Sequence, residues 1–402
     1  MVTSTPRRKA ARPRGTHEAV VSLRPCASYE PDRVEDQLTE ALEPFGGIEG
    51  LVKPGERVLI KINLLNDTPP EHAVVTHPSL TRALIRKVRS AGAIPVVADQ
   101  SGPGLKGITM RAFRASGTRD VCEQEGAEAL PFNKHGFTEI QCPENTHLKS
   151  LFVARDVLEA DRVIGIAKLK THMQALYTGA VKNYFGCIPL RERKRAHLLS
   201  KFRLFCEGLV DIFAAVDPDF TLIDGVIGME GMGPNRGAPK KTGVILAARD
   251  HVACDAVALD LMGIPGEAYP VLAAAQARGL GQGRLERIDI VGGDPSRFRS
   301  AYRLPPRYLR NPPRMIASLA TMVSSGTRPV VDEERCQACG ACFESCPAGA
   351  ITLQPKAAID PRRCIQCLCC MELCPHEAVY EKAPALVSAL RRVRNAVIRP
   401  TR

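Results

Sequence analysis

The sequence predicts two domains of unequal size: a large α/β domain with a mainly parallel sheet, then a small α+β domain organised by cysteines. Three observations carry this. From about residue 17 to 295 short apolar runs alternate with amphipathic stretches, as strands alternate with helices. Nine of the fifteen cysteines fall between Cys336 and Cys374. At 402 residues the chain exceeds one ordinary core. The expected division is a basic disordered tail at 1–16, the α/β domain at 17–295, a Pro- and Arg-rich linker at 296–329, the cysteine domain at 330–382 and a basic tail at 383–402.

The large domain reads in order as follows. VVSL at Val20 to Leu23 is a strand, and a helix follows near Val34 to Leu42. RVLIKI at Arg57 to Ile62 is a buried strand opened by the turn Lys53-Pro54-Gly55. A helix begins at Pro78 and Ser79 and stops at Gly92, and IPVVAD at Ile94 to Asp99 is the next strand. Later strands are DRVIGIA, TLIDGV and TGVILAA, with helices near Leu198 to Ala214 and Cys254 to Met262.

Ligands of open α/β sheets collect at the C-terminal ends of strands, and polar residues gather at those ends here. Asn63 follows the second strand; Asp99, Ser101 and Gly102 close the third; Asp224 and Gly225 follow TLI. The densest group is KLKTH, with Lys168, Lys170, Thr171 and His172, followed by TGAVKNYFGCIP with Lys182, Asn183 and Gly186. GMEGMGPNRG adds Glu230, Gly231, Gly233 and Pro234 as a loop, but it has neither the P-loop order nor G-x-G-x-x-G. Taken singly, such lysines are usually solvated and Asp-Gly is usually a turn; it is their repeated placement that makes a site. The expected catalytic groups are His172, Lys168, Lys170 and Lys182. The expected substrate contacts are Asn63, Asp99, Ser101, Asn183, Asp224 and Glu230. An additional divalent metal would find hard oxygen ligands in Asp99, Asp224, Glu230, Asp250 or Asp255, and a transition metal would find imidazoles in His172 or His197.

In the small domain, CQACGACFESCP and CIQCLCCMELCP each show C-x2-C-x2-C-x3-C-P, the spacing of bacterial two-cluster ferredoxins. Cys336, Cys339, Cys342 and Cys346 recur 28 positions later as Cys364, Cys367, Cys370 and Cys374. The flanks repeat too: VVDEERC matches AIDPRRC, and PAGAITL matches PHEAVYE. Each half therefore reads as strand, ligand loop, helical turn and strand, related by a pseudo-two-fold axis. In this pattern the fourth cysteine ligates the other cluster. One [4Fe–4S] cluster is assigned Cys336, Cys339, Cys342 and Cys374, the other Cys364, Cys367, Cys370 and Cys346, with Pro347 and Pro375 turning the chain after each crossing ligand. The repeat selects Cys370 over its neighbour Cys369. Zinc knuckles also use C-x2-C pairs, but not eight cysteines in this repeated order.

Composition narrows the class. Hydrophobic residues are 45% and charged residues 24%, as in globular proteins. No run is long and apolar enough to cross a bilayer, and no apolar segment follows the basic start, so the expected location is cytoplasmic. Of the net charge of +12, ten positive charges sit on tails without acids: Arg7, Arg8, Lys9, Arg12 and Arg14, then Arg391, Arg392, Arg394, Arg399 and Arg402. Neither tail has an aromatic residue to stack on bases, so no specific nucleic acid is expected.

KINLL, THPSL, ADQSG, KLKTH, TGAVKNYFG with His197 downstream, LIDG, GMEGMGP and RDHVACDAVALD stand in one order. In that order the stretch from 17 to 295 resembles the prokaryotic family catalogued as domain of unknown function 362, departing from it at Ile62, where the family pattern has proline. The resemblance implies an α/β domain often followed by a two-cluster ferredoxin module, and no general activity. Two functions follow from the residues. In the first, two [4Fe–4S] clusters pass single electrons, received from a small electron-donor protein or reductase, to a small anionic substrate in the α/β domain. In the second, the chain is an electron-transfer or maturation component whose α/β domain docks on another enzyme. The apolar stretch MIASLATMV at Met315 to Val323 would then serve as a contact with either domain or with a partner.

Overall fold

The structure is a computed structural model describing residues 19–102, 107–142, 146, 148–197, 202–306, 328–344, 346, 348–364, 370–371, 374, 376 and 378–382. Both tails, Met315 to Val323, Cys367, Cys369, Pro347 and Pro375 lie outside the described residues, as does the side chain of His197.

The strands of the large domain are β1 (Ala19–Pro25), β2 (Arg57–Lys61), β3 (Ile94–Asp99), β4 (Glu128–Pro131), β5 (Phe137–Gln141), β6 (Ser150–Ala154), β7 (Arg162–His172), β8 (Leu176–Thr178), β9 (Phe220–Met232), β10 (Arg236–Ala248) and β11 (Ile288–Val291). Its helices are α1 (Pro31–Leu42), α2 (Pro78–Ser90), α3 (Ile108–Ala115), α4 (Thr118–Gln124), α5 (Arg155–Glu159), α6 (Ala180–Asn183), α7 (Leu190–His197), α8 (Phe202–Val216), α9 (His251–Leu261) and α10 (Pro270–Ala277). Among the described residues a nine-stranded sheet runs β11-β1-β10-β9-β7-β2-β3-β4, with β8 beside the end of β7. The run β9-β7-β2-β3-β4 is parallel, whereas β10 pairs antiparallel with both β9 and β1. The expected mainly parallel sheet is therefore present, interrupted by one long hairpin.

Strand periodicity builds the two cores. Val58 and Ile60 point into one apolar layer, shared with Val34 and Leu38 of α1 and Leu80 and Leu84 of α2. Leu59 points to the opposite layer, shared with Phe205 and Leu209 of α8 and Val257 of α9. Helices thus cover both faces, the arrangement that parallel strands require. Each such fully buried aliphatic side chain contributes about 1.5–3 kcal/mol. α2 starts as its sequence dictates, with Pro78 in the first turn and His77 Nδ1 accepting the Ser79 N–H at 3.2 Å. It ends where Gly92 takes φ of +74°, a conformation that strains any other residue.

KLKTH does not follow a strand as a loop but forms the last five residues of β7, while Asp224-Gly225 lies within β9, where the predicted strand TLIDGV has it. Backbone pairing explains both. Lys168 is opposite Asp224 and Lys170 opposite Met229 on β9, while Lys170 also faces Thr178 on β8. Likewise GMEGM continues β9, and the turn into β10 is confined to Gly233, Pro234 and Asn235. Residues 296–306, expected to open the linker, stay on the large domain: Ser300 and Tyr302 donate backbone N–H bonds to the Leu261 and Met262 carbonyls at 2.8 and 3.0 Å.

The small domain contains β12 (Arg328–Val331), β13 (Ile351–Leu353), β14 (Ala357–Ile359) and β15 (Val379–Lys382), with a short helix at Ala341–Glu344. β12 pairs with β15 and β13 with β14, both antiparallel. The outer strands of the two sequence halves pair with each other, as do the inner strands, which is the relation the 28-residue repeat predicts. Among the described residues no helix is long and apolar enough to cross a membrane.

Candidate active cleft and cysteine module

A cleft of about 550 Å³ opens at the C-terminal end of β7. Of the residues singled out in the sequence, Asn63, Gly102, Lys170, His172, Lys182 and Pro234 line it. They arrive from several elements. Lys170 and His172 are two residues apart on β7, so they project on one side of the strand. Lys170 Nζ donates to Asn63 Oδ1 at 2.7 Å and to the Val74 carbonyl. Burial, then repulsion from Lys182 and Lys168, lowers its pKa well below that of a free lysine. His172 Nδ1 accepts backbone N–H bonds from Gln174 and Ala175 at 3.1 and 3.0 Å. That leaves the neutral ring's proton on Nε2, so the ring presents a donor.

Lys182 and Asn183 sit on α6, whose first turn is held by Asp255 of α9. The carboxylate accepts the Ala180 and Val181 N–H groups at 2.6 and 3.0 Å and the Tyr177 hydroxyl at 3.0 Å. Burial nevertheless pushes the Asp255 carboxyl up to about 7. The Lys182 ammonium lies 5.1 Å from the Phe185 ring centroid. Burial, reinforced by Arg193 and Lys61, lowers its pKa to about 7. A lysine so placed exchanges a proton near neutrality, as acid–base catalysis requires.

Behind the cleft, Lys61 Nζ and Asp99 Oδ1 form a buried ion pair at 2.8 Å. Asp99 also accepts the Leu64 N–H at 2.6 Å, and Asn183 Nδ2 donates to the Lys61 carbonyl at 3.1 Å. Gly186 is required beside this pair, because a Cβ there would meet Asp99 Oδ1 at 2.6 Å. Ser101 Oγ donates to the Leu64 carbonyl at 2.9 Å and supports the same loop. Asp99, Asn183 and Ser101 thus brace the wall rather than line it.

Lys168, Asp224 and Glu230 stand elsewhere. Lys168 is fully buried against Asp224 and the Tyr29 hydroxyl, both at 2.8 Å. Glu230 accepts from Arg303 Nε at 2.7 Å and Lys240 Nζ at 3.3 Å. The carboxylates considered as metal ligands are therefore dispersed: Asp250 caps α9 and Asp255 anchors α6. In the described part of the α/β domain no three His, Cys, Asp or Glu side chains converge on a metal position.

Sequence reasoning missed Arg193, Leu190, Gln174 and Phe185, which also line the cleft. Arg193 and Leu190 lie in PLRERKRAH, a basic run that reads as a solvated helix face. The available signal was their i, i+3 spacing, which places one cation beside one apolar residue on α7.

In the small domain Cys336, Cys339, Cys342 and Cys374 line one cavity, the four cysteines assigned to one cluster from spacing. The Ala350 and Ala378 N–H groups point to Cys346 Sγ and Cys374 Sγ at 3.2 and 3.3 Å, as sulfur ligands of a cluster are typically supported. These residues fit a [4Fe–4S] group. Of the second set, Cys346, Cys364 and Cys370 are described and Cys367 is not. Leu190 ties the two parts together: it lines the cleft and is also buried in the apolar cluster containing Cys336, Cys370, Met371 and Cys374.

Residues 58–260 match the family described as Domain of unknown function (DUF362), and residues 326–378 match the 4Fe-4S dicluster domain. The small domain is accordingly a ferredoxin-like module that binds 4Fe–4S clusters. A thylakoid-associated protein of Synechocystis sp. is 32% identical over 267 residues, 65% of this chain and 79% of that protein. Among solved structures, the lactate racemase apoprotein of Thermoanaerobacterium thermosaccharolyticum is 16% identical with a TM-score of 0.40, over 60% of this chain. A Thermotoga maritima protein is 12% identical with a TM-score of 0.36, over 55% of this chain. The chain spans 57% and 56% of the lengths of those two structures.

Proposed function

The chain belongs to the DUF362 family, and we propose that it passes single electrons between two [4Fe–4S] clusters and a small anion held in the cleft of its α/β domain. The observation that carries this reading is Leu190, which lines the cleft and packs among the cluster cysteines. When bound, such clusters give and take electrons one at a time. Cys336, Cys339, Cys342 and Cys374 would hold one; Cys364, Cys367, Cys370 and Cys346 would hold the other.

The α/β residues divide the remaining work. Lys170 and Lys182 attract the anion, and Asn63 orients Lys170. Lys182 Nζ supplies or accepts the protons that accompany electron transfer, and His172 Nε2–H donates a hydrogen bond to the anion. Lys61, Asp99 and Asn183 keep the wall rigid. A small electron-donor protein or reductase is the partner this chemistry calls for.

The test uses anaerobic, cluster-loaded protein reduced stoichiometrically, then mixed with a panel of small anions while cluster absorbance is followed. The expected result is an anion that reoxidises the wild type far faster than His172→Asn or Lys182→Met variants of equal iron content. Equal reoxidation of all three by every anion would place electron exit at the cluster module itself and contradict the reading.

A further inference from the structure

The cleft collects basic side chains that no carboxylate lining it pairs, among the described residues. Lys170, Lys182 and Arg193 line it, each at most 8% exposed, and among the described residues no Asp or Glu does. The carboxylate behind the wall, Asp99, is already paired with Lys61. Holding several buried basic groups in their charged form without a carboxylate is costly, and an anion in the cleft would relieve that cost.

Arg193 adds geometry to charge. Its Nη1 donates to the Gln100 carbonyl at 3.0 Å, which fixes the guanidinium plane. Nε and Nη2, on the neighbouring edge, meet no acceptor and have no surface open to water, within the cleft or outside it, so a ligand reaches them only by displacing what covers them. Two adjacent N–H groups in one plane match the two oxygens of a carboxylate. Phe185, Leu190, Leu65 and Met173 give the cleft an apolar side.

From these observations we infer that the cleft binds a small carboxylate with an apolar body, gripped by the Nε/Nη2 edge of Arg193 beside Lys182. This deepens the electron-transfer reading by naming the class of its substrate, but the binding itself needs no electrons. It can therefore be tested on the oxidised protein.

The probes are benzoate, benzamide as its neutral counterpart, and inorganic phosphate, titrated calorimetrically into the full cluster-loaded chain. Benzoate is expected to bind and benzamide not. Arg193→Lys, which keeps the charge and removes the fork, should weaken benzoate at least tenfold with iron content unchanged. Asn235→Trp, at an exposed position on the cleft rim, should block benzoate. If Arg193→Lys does not fold, 15N-arginine labelling of the wild type decides. An Nε–H signal that benzoate moves, and that stays in place in Asn235→Trp, supports the inference; no moved arginine signal overturns it. Benzamide binding as well as benzoate, or an unaffected Arg193→Lys, also overturns it. Phosphate binding without benzoate binding overturns the carboxylate class and leaves the electron-transfer reading standing. Failure of reduced protein to release electrons while benzoate binds does the reverse.

Discussion

Lys168 Nζ stands 2.8 Å from Asp224 Oδ2 on the neighbouring parallel strand, with neither side chain open to solvent. Tyr29 closes the arrangement: its hydroxyl bonds both partners, and its ring stacks on His77 at 3.5 Å. This lysine holds β7 to β9 and does not face the cleft. Lys168→Met should destabilise by about 3–5 kcal/mol, because it strands a buried carboxylate. Lys168→Met with Asp224→Leu should recover part of that loss in urea denaturation. A single variant of wild-type stability that fails only in anion binding would contradict this assignment.

The titration of Lys182 gives anion binding a predictable pH dependence. Its folded pKa is lowered to about 7, so the ammonium is charged below that pH and neutral above it. An anion favours the charged form and raises this pKa on binding. Affinity for a small anion should therefore fall as pH rises through about 7, and Lys182→Met should flatten the profile. A wild-type profile already flat from pH 6 to 8, measured calorimetrically, would contradict the role given to Lys182.

Leu190 joins the two domains by packing. Truncating a buried leucine to alanine costs about 2–5 kcal/mol. In Leu190→Ala the loss should appear as faster amide exchange in Leu190–His197 and Val379–Lys382, with iron retained. Faster exchange in Leu190–His197 alone would show that the contact does not hold the module.

The cluster assignment predicts about eight irons and eight acid-labile sulfides per anaerobically prepared chain. Cys370→Ala should lose about half, whereas Cys369→Ala should keep all, because the 28-residue repeat gives ligation to Cys370. Loss of iron in Cys369→Ala with retention in Cys370→Ala would reverse that choice.

The sheet and cysteine module were legible because their signals are local. Val58, Leu59 and Ile60 mark a two-sided buried strand, and cysteine spacing marks a cluster loop. The extent of β7 was not legible, since Lys168, Lys170 and His172 look like loop chemistry until their partners are known. Those partners, Asp224 and Asn63, lie 56 and 107 residues away. For the same reason Lys168 and Lys170, identical in type and adjacent in register, separate into a structural ion pair and a cleft cation. Arg193 was hidden by its basic neighbours. Only the fold shows that it is buried while its surroundings in sequence read as solvent-facing.

The most direct test of a shared site is magnetic. A nitroxide attached at Asn235→Cys on the cleft rim, in cluster-loaded protein, reports the distance to the paramagnetic reduced clusters. Reduction should markedly speed the nitroxide's electron-spin relaxation, and Leu190→Ala should lessen the effect. Relaxation unchanged by reduction would separate the clusters from the cleft and contradict the account.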